Sequence, residues 1–166
     1  MKIEVITINL EDVGTVYKLT ENIWRKNFPT FISTEQTEYM LQKFKSIDKI
    51  KEKLTSNDIN NFFILHTKKI VGYFSYGFDA DNNFMRFYEM YILPDFQHQG
   101  IGTTVFNYVK SELRSNGHKY LNSFVNINNL PSINACKKAG FKIVKSVKID
   151  IGNGYFMNDH LFKLEI

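Results

Sequence analysis

The run from Phe84 to Leu113 constrains the fold more than any other part of this chain. Phe84–Leu93 is aromatic and almost continuously apolar, as expected of a central strand covered on both faces rather than an edge. It passes through Pro94-Asp95-Phe96-Gln97-His98-Gln99-Gly100-Ile101-Gly102 into a segment with Ile101, Val105, Phe106, Val109 and Leu113 on one helical face, closed by Asn116-Gly117. A buried strand therefore hands the chain through a glycine turn to an amphipathic helix. The first-turn N–H groups of such a helix lack intrahelical acceptors and sit at the positive end of its dipole, and glycine lets backbone come close to a ligand, so the place suits a phosphate. No Gly-Lys-Ser/Thr follows and the spacing is not GxGxxG, which excludes a Walker A loop and a dinucleotide turn. A tight turn with no ligand would use the same two glycines.

Around this segment the periodicity predicts a mixed α/β chain. Ile3, Val5, Ile6 and Ile8 suggest a first strand, and Val13, Val16, Tyr17, Thr20, Ile23 and Trp24 place a helix over Leu10–Lys26. Ser33 and Gln36 make a capping box ahead of a second helix with Tyr39, Met40, Leu41 and Phe44. A short third helix holds Ile47, Ile50 and Leu54 and stops at Thr55-Ser56-Asn57-Asp58. Phe62–Thr67 and Ile70–Phe78 read as a hairpin joined at Lys68-Lys69, and Asp79–Asn83 as a polar turn into Phe84–Leu93. A strand over Tyr120–Val125, a helix over Ser132–Ala139 stopped by Gly140, and strands over Phe141–Ile149 and Tyr155–Leu164 complete the chain. Three antiparallel strands thus lead into βαβ-like units. No linker, low-complexity run or repeat interrupts the chain, so residues 1–166 are expected to form a single domain.

A chain of 166 residues can bury a full core without disulfides or structural metal. Cys136 is the lone cysteine, and His66, His98, His118 and His160 lack metal-ligand spacing, so no metal is expected. No apolar run approaches the ~20 residues that span a bilayer. Met1-Lys2-Ile3-Glu4-Val5 alternates charged and apolar residues without a signal core, which makes the expected location cytoplasmic and leaves no membrane partner. The net charge of +4 is uneven: residues 1–83 hold 11 Lys/Arg and 11 Asp/Glu, residues 84–166 hold 10 and 6. Those basic residues are scattered rather than striped with aromatics, which argues against nucleic acid.

The Pro94–Gly102 turn resembles the acetyl-CoA pyrophosphate loop of the GNAT N-acetyltransferase superfamily, Gln/Arg-x-x-Gly-x-Gly/Ala after a strand and opening a helix. A second motif follows in order: Asn129-Leu130-Pro131-Ser132-Ile133-Asn134-Ala135-Cys136-Lys137-Lys138-Ala139-Gly140-Phe141 is similar to that superfamily's Asn-x-x-Ala/Ser segment ending in Gly-Phe. The order of elements fits over the whole chain, the specific motifs over residues 91–141. Asp150–Asp159 resembles the tail of a bacterial subgroup, some members of which are related to polyamine acetyltransferases. The resemblance implies a GNAT acyl-CoA fold, a central mixed twisted sheet of about six to seven strands splayed mid-sheet and flanked by about four to five helices. It implies an acyltransferase that moves acetyl from acetyl-CoA to a primary amine, a small molecule such as a polyamine or a peptide amine, by direct attack in a ternary complex. The backbone of Tyr91, Ile92 and Leu93 would pair with the pantetheine, and amides across Gln97, His98, Gln99, Gly100, Ile101, Gly102 and Thr103 would hold the pyrophosphate. Asn129, Ser132 and Asn134 would line the cofactor's far side. His98 stands where many members have Gly or a basic residue. The cationic excess of the second half fits a polyanionic CoA, with Arg114, Lys137, Lys138 and Lys142 as candidates for its 3′-phosphate.

Transfer of acetyl to an amine needs a neutral amine, a donor for the oxyanion and an acid for the thiolate. Glu89 is the sole acid within Phe84–Leu93, and some superfamily members carry an acid there. With its pKa raised by burial it would suit a general base; alternatively it pairs with Arg86 or a neighbouring strand. The position of the usual thiolate acid, a Tyr four residues before Gly-Phe, holds Cys136 instead, leaving water, Tyr88, Tyr91 or Tyr155 for that task. Trp24, Phe28, Phe31, Tyr39 and Phe44 read as core contacts, in a region that by the resemblance also walls the acceptor pocket. Glu35, Glu38, Asp79 and Asp81 are solvated charges or attract a cationic amine. The missing Tyr also supports a catalytically inactive acyl-CoA-binding sensor. The acceptor and the oligomeric state, a homodimer included, stay open.

Overall fold

The structure is a computed structural model that describes residues 3–166; the Met1-Lys2 part of the N-terminal alternation lies outside the described residues. In chain order the elements are β1 (Ile3–Thr7), α1 (Val13–Asn27), α2 (Thr34–Phe44), α3 (Ile47–Leu54), β2 (Ile59–His66), β3 (Lys69–Asp79), β4 (Phe84–Ile92), α4 (Ile101–Ser115), β5 (Tyr120–Asn126), α5 (Leu130–Lys138), β6 (Lys142–Gly152) and β7 (Tyr155–Glu165). Among the described residues the seven strands run β1-β2-β3-β4-β5-β7-β6 across one sheet. The sheet is mixed: β4 and β5 are parallel, whereas β1–β2, β5–β7 and β6–β7 are antiparallel. Seven strands and five α-helices match the mixed α/β architecture expected of the sequence.

Element boundaries differ from the periodicity where local hydrogen bonds decide. α1 starts at Val13, because Leu10–Asp12 is a separate 3-10 turn in which the Asp12 carboxylate accepts the Asn9 N–H at 2.8 Å. The hairpin turn is Thr67-Lys68, with φ of 49° and 65°, so Lys69 already belongs to β3. Two positive φ values in succession are what a two-residue hairpin of this twist requires. α5 starts at Leu130, two residues early, since Asn129 caps it by accepting the Ser132 N–H at 3.2 Å. Ser33 accepts the Gln36 N–H at 3.0 Å at the start of α2, as the capping pattern predicts.

The chain divides into two compact units, and β3 and β4 each contribute residues to both. The first holds the described residues up to Tyr76 with Glu89–Ile101. Val16, Thr20, Ile23 and Trp24 form the buried face of α1, and Val16 joins Ile8, Ile50, Phe63 and Tyr73 in one apolar cluster. The second holds Gly77–Tyr88 with Gly102–Ile166. Here α4 buries Val105, Phe106, Val109 and Leu113, and the Phe106 ring lies 4.9 Å from Phe87 and 5.5 Å from Phe141. Gly140, at φ +98°, ends α5 by letting the N–H groups of Gly140 and Phe141 reach the carbonyls of Lys137 and Cys136, both at 3.0 Å. The Gly-Phe pair of the sequence is thus a helix cap followed by a core anchor.

Within the first unit, β3 and β4 come together at a point that admits no side chain. A Cβ on Gly72 would stand 2.2 Å from the Tyr91 carbonyl oxygen, and the Leu93 N–H donates to the Val71 carbonyl at 2.8 Å. The obstructing atoms, the Tyr91 carbonyl and Ile92 Cα, are backbone, so relief requires moving a strand. Gly72→Ala is expected to lower stability by about 1–3 kcal/mol or more, read as a lower urea midpoint; an unchanged midpoint would show that the strands part freely.

Candidate active site

Glu89 lies on β4 in the first unit, on the same strand face as Tyr91 and, being three residues away, on the opposite face from Arg86. That alternation rules out the Glu89–Arg86 pairing: Arg86 instead donates to Asp79 at 3.0 Å, within the second unit. Glu89 is clasped by two ammonium groups, Lys45 on one carboxylate oxygen and Lys53 on the other. Lys45 is the residue that ends α2, and Lys53 lies in the last turn of α3. Lys53 also donates to Ser75 Oγ at 2.7 Å, and Ser75 donates to Glu89 at 3.4 Å. All three charged side chains are largely buried, Glu89 at 6%, Lys45 at 14% and Lys53 at 20% exposure.

The electrostatics reverse one expectation. Burial favours the neutral acid, but the charges and hydrogen bonds of Lys45 and Lys53 outweigh it and hold the Glu89 pKa down to about 2. Instead of a base with raised pKa, the site contains a permanently ionised carboxylate. Next to it the Tyr73 hydroxyl meets Thr20 Oγ1 at 2.6 Å, and since Thr20 gives its proton to the Val16 carbonyl, Tyr73 is the donor. Burial, followed by the Glu89 charge, pushes the Tyr73 pKa well up, keeping it a phenol. Lys45 Nζ also lies 5.6 Å from the Trp24 ring centroid and 5.7 Å from that of Tyr91. Trp24 stacks on Phe28 at 4.0 Å, and Phe28 contacts Phe31 at 5.0 Å, so the aromatics of α1 and its following turn continue the wall beside these charges.

After Tyr91 the chain is tied down by its own side chains. The Leu93 N–H and C=O are both engaged within the chain, with Val71 and with Phe96, and Gln97 Nε2 donates to the Ile92 carbonyl at 2.9 Å. Gln99 Nε2 donates to the Asp95 carbonyl at 3.0 Å. His98 at φ +60° and Gly100 at φ +79° both occupy left-handed backbone. For His98 that conformation costs roughly 1–2 kcal/mol, the physical reason a glycine would be at ease there. Gln97–Ile101 belong to the first unit, as do Glu89 and Tyr91–Leu93. Gly102, Thr103, Asn129, Ser132 and Asn134 belong to the second. There Asn129 and Ser132 make the α5 cap, Asn134 is exposed on α5, and Arg114, Lys137, Lys138 and Lys142 are exposed. Burial pushes the Cys136 thiol up to about 12, which keeps it protonated and unfit as a nucleophile. Tyr88 donates its hydroxyl to the Phe78 carbonyl at 3.2 Å. Of the acids considered for an amine, Glu38 pairs with Arg25 and Asp79 with Arg86, while Glu35 and Asp81 are exposed.

Lys45 and Lys53 were not legible as site residues. Lys53 follows the buried Ile50 by one helical turn, which places it at the margin of the apolar stripe, but nothing local says that a carboxylate 36 residues later meets it. The triad makes stability acid-sensitive. Glu89 has a folded pKa below its unfolded value, so its contribution is full above about pH 4.5 and is lost as pH falls toward 2. Glu89→Gln leaves two buried ammonium groups uncompensated and is expected to cost about 3–5 kcal/mol near neutral pH. Denaturant titrations across that acid range should then show a shallower loss for the variant than for the wild type; equal losses would mean that Glu89 is not held ionised.

The Acetyltransferase (GNAT) family model matches residues 17–141, well over half of the chain. No curated protein matches the sequence. Among solved structures, the PaiA N-acetyltransferase of Thermoplasma acidophilum in complex with coenzyme A superposes with a TM-score of 0.81 at 18% identity, covering 100% of both chains. An N-acetyltransferase from Staphylococcus aureus Mu50 gives 0.75 at 18%, covering 99% of this chain and 98% of the other. The microcin C7 self-immunity acetyltransferase MccE, in complex with acetyl-CoA and AMP, gives 0.75 at 21%, covering 99% and 93%. At such identities the likeness speaks for the fold, and the family match, which takes in β4, the glycine turn and α5, speaks for more: the chain belongs to the GNAT family of acetyltransferases.

Proposed function

We propose that the protein transfers an acetyl group from acetyl-CoA to a primary amine by direct attack in a ternary complex. The observation that carries this reading is the match to the GNAT family across residues 17–141. Left-handed Gly100 at the mouth of α4 and Asn129 at the cap of α5 fall within that span. In the reaction the amine nitrogen bonds to the thioester carbonyl carbon, the C–S bond breaks, CoA leaves as thiolate, and the nitrogen loses a proton. Tyr91 and Ile92 would receive the pantetheine, the Leu93 N–H and C=O expected to share in it being already engaged with Val71 and Phe96, and the amides of Gln97–Thr103 would receive the pyrophosphate, with the helix dipole of α4 behind them. Residues 1–166 would act as one catalytic domain.

Glu89 serves this reaction as a positioning residue. A carboxylate with pKa about 2 has little affinity for an ammonium proton, so the proton leaves to water and Glu89 keeps Lys45 and Lys53 in place. A second reading, an acyl-CoA-binding sensor without catalysis, is favoured by the buried thiol of Cys136 where a Tyr acid would stand. Acetyl-CoA consumption over a panel of polyamines, amino acids and peptide amines separates the two; CoA binding with no turnover on any amine would establish the sensor.

Two outcomes follow for the enzyme. Gly100→Leu strains a left-handed position with no atom within 4 Å of the new Cβ, so the fold should survive while acetyl-CoA binding, measured by calorimetry, is lost. Because Glu89 does not titrate near neutrality, kcat/KM should rise about tenfold per pH unit below the acceptor's own pKa of ~10. Glu89→Gln should keep that profile's shape; a limb between about pH 5 and 8 that vanishes in the variant would return Glu89 to the role of base.

A further inference from the structure

The second unit buries an acid and gives it no donor. Asp159 stands on β7 opposite Asn126, the last residue of β5, with 3% of its surface exposed. Among the described residues its carboxylate accepts no hydrogen bond; the charges that act on it are Arg86 and His160, and the His160 ring is engaged with Ser146 Oγ at 2.8 Å. Arg86 does not relieve it. That guanidinium donates to Asp79 at 3.0 Å and lies 4.7 Å from both the Tyr88 and the Phe124 ring centroids, which hold it where it is. Its Nε is itself buried without an acceptor. Asp79, Arg86 and Asp159 thus leave one carboxylate of the three groups without a counterion. Burial pushes the Asp159 pKa up to about 6, so at neutral pH it is an anion held in a place that disfavours the charge. A buried polar group left unsatisfied in a folded protein calls for a partner from outside the chain or a functional task.

Its place in the fold points to the task. β4 and β5 run parallel, and Asn126 closes β5 at its carboxyl end, the end at which parallel strands take their ligands. From there the Ile127 N–H donates to the Asn158 carbonyl at 2.9 Å, and two residues later Asn129, expected along the cofactor, caps α5. We propose that Asp159 is a specificity-determining residue whose carboxylate holds a second cationic group of the acceptor, an ammonium or a guanidinium, while the amine at the other end attacks the thioester. The inference rests on the acetyltransferase reading and narrows its acceptor to an amine with a further positive charge. Two of the acids singled out in the sequence do not supply this contact, since Glu38 is taken by Arg25 and Asp79 by Arg86.

Matched amines that differ only in the second charge test the idea with the intact protein: putrescine against butylamine, cadaverine against pentylamine, and agmatine for the guanidinium. At least one dication should exceed its monoamine in kcat/KM by about tenfold or more, the effect of one charge-assisted contact, and putrescine against agmatine tells ammonium from guanidinium. Asp159→Asn, checked for folding by thermal melt, should bring that ratio toward one through a higher KM for the dication, with KM for acetyl-CoA unchanged; Asp159→Ser provides the same reading if the first variant does not fold. Equal turnover of the monoamines by the wild type would overturn the inference and leave the acetyltransferase reading standing. So would a fall in kcat of the same size for every amine in the variant, which would place Asp159 in the chemical step, or a lower melting temperature with every KM unchanged, which would make it a structural partner of Arg86. Binding of acetyl-CoA with no turnover of any of these amines would overturn both.

Discussion

The ion pairs between Glu89 and the lysines at the ends of α2 and α3 hold much of the first unit in register. One carboxylate on β4 receives Lys45 from the residue closing α2, Lys53 from the last turn of α3, and, through Lys53, Ser75 from β3. Two helices and two strands therefore meet at a single buried charge. Such an arrangement is poor evidence of net stability, since the desolvation of three charged groups consumes most of the Coulombic gain. It does dictate where the helices end relative to the strands, because any shift that parts the carboxylate from an ammonium leaves a buried charge unpaired.

The apolar surroundings sharpen that constraint. Tyr73 and Tyr91 stand edge to face at 5.3 Å, and Trp24 contacts Tyr91 at 5.9 Å, so rings enclose the charges on the side of α1. Gly72, pressed against the Tyr91 carbonyl, lets β3 carry Tyr73 and Ser75 close enough to take part. The uneven +4 of the sequence concerns the other half of the molecule, where Arg114, Lys137, Lys138 and Lys142 are exposed in the second unit.

Much of the fold was legible because it is written in short-range patterns. The capping serine of α2, the span of α3, the central strand, the glycine turn and the Gly-Phe stop each depend on residues within a few positions of one another. The places where the reading slipped, the 3-10 turn before α1, the Thr67-Lys68 turn and the early start of α5, were decided by single hydrogen bonds or backbone angles that composition does not encode. Glu89 stands out as the one acid of β4, since an acid among aromatics is visible in one line of sequence. Its pKa was misjudged, because desolvation follows from that local context whereas the lysines that overcome it come from 44 and 36 residues upstream.

The amino-acid sequence by itself determined the order of strands and helices, the family motifs and the identity of the carboxylate, all properties of periodicity and neighbouring residues. Only the tertiary structure decided what that carboxylate is. Chain folding brings Lys45 and Lys53 to Glu89, turning a prospective base into a fixed anion, because the energy of a buried charge depends on what lies within a few ångströms of it and not on its place in the chain.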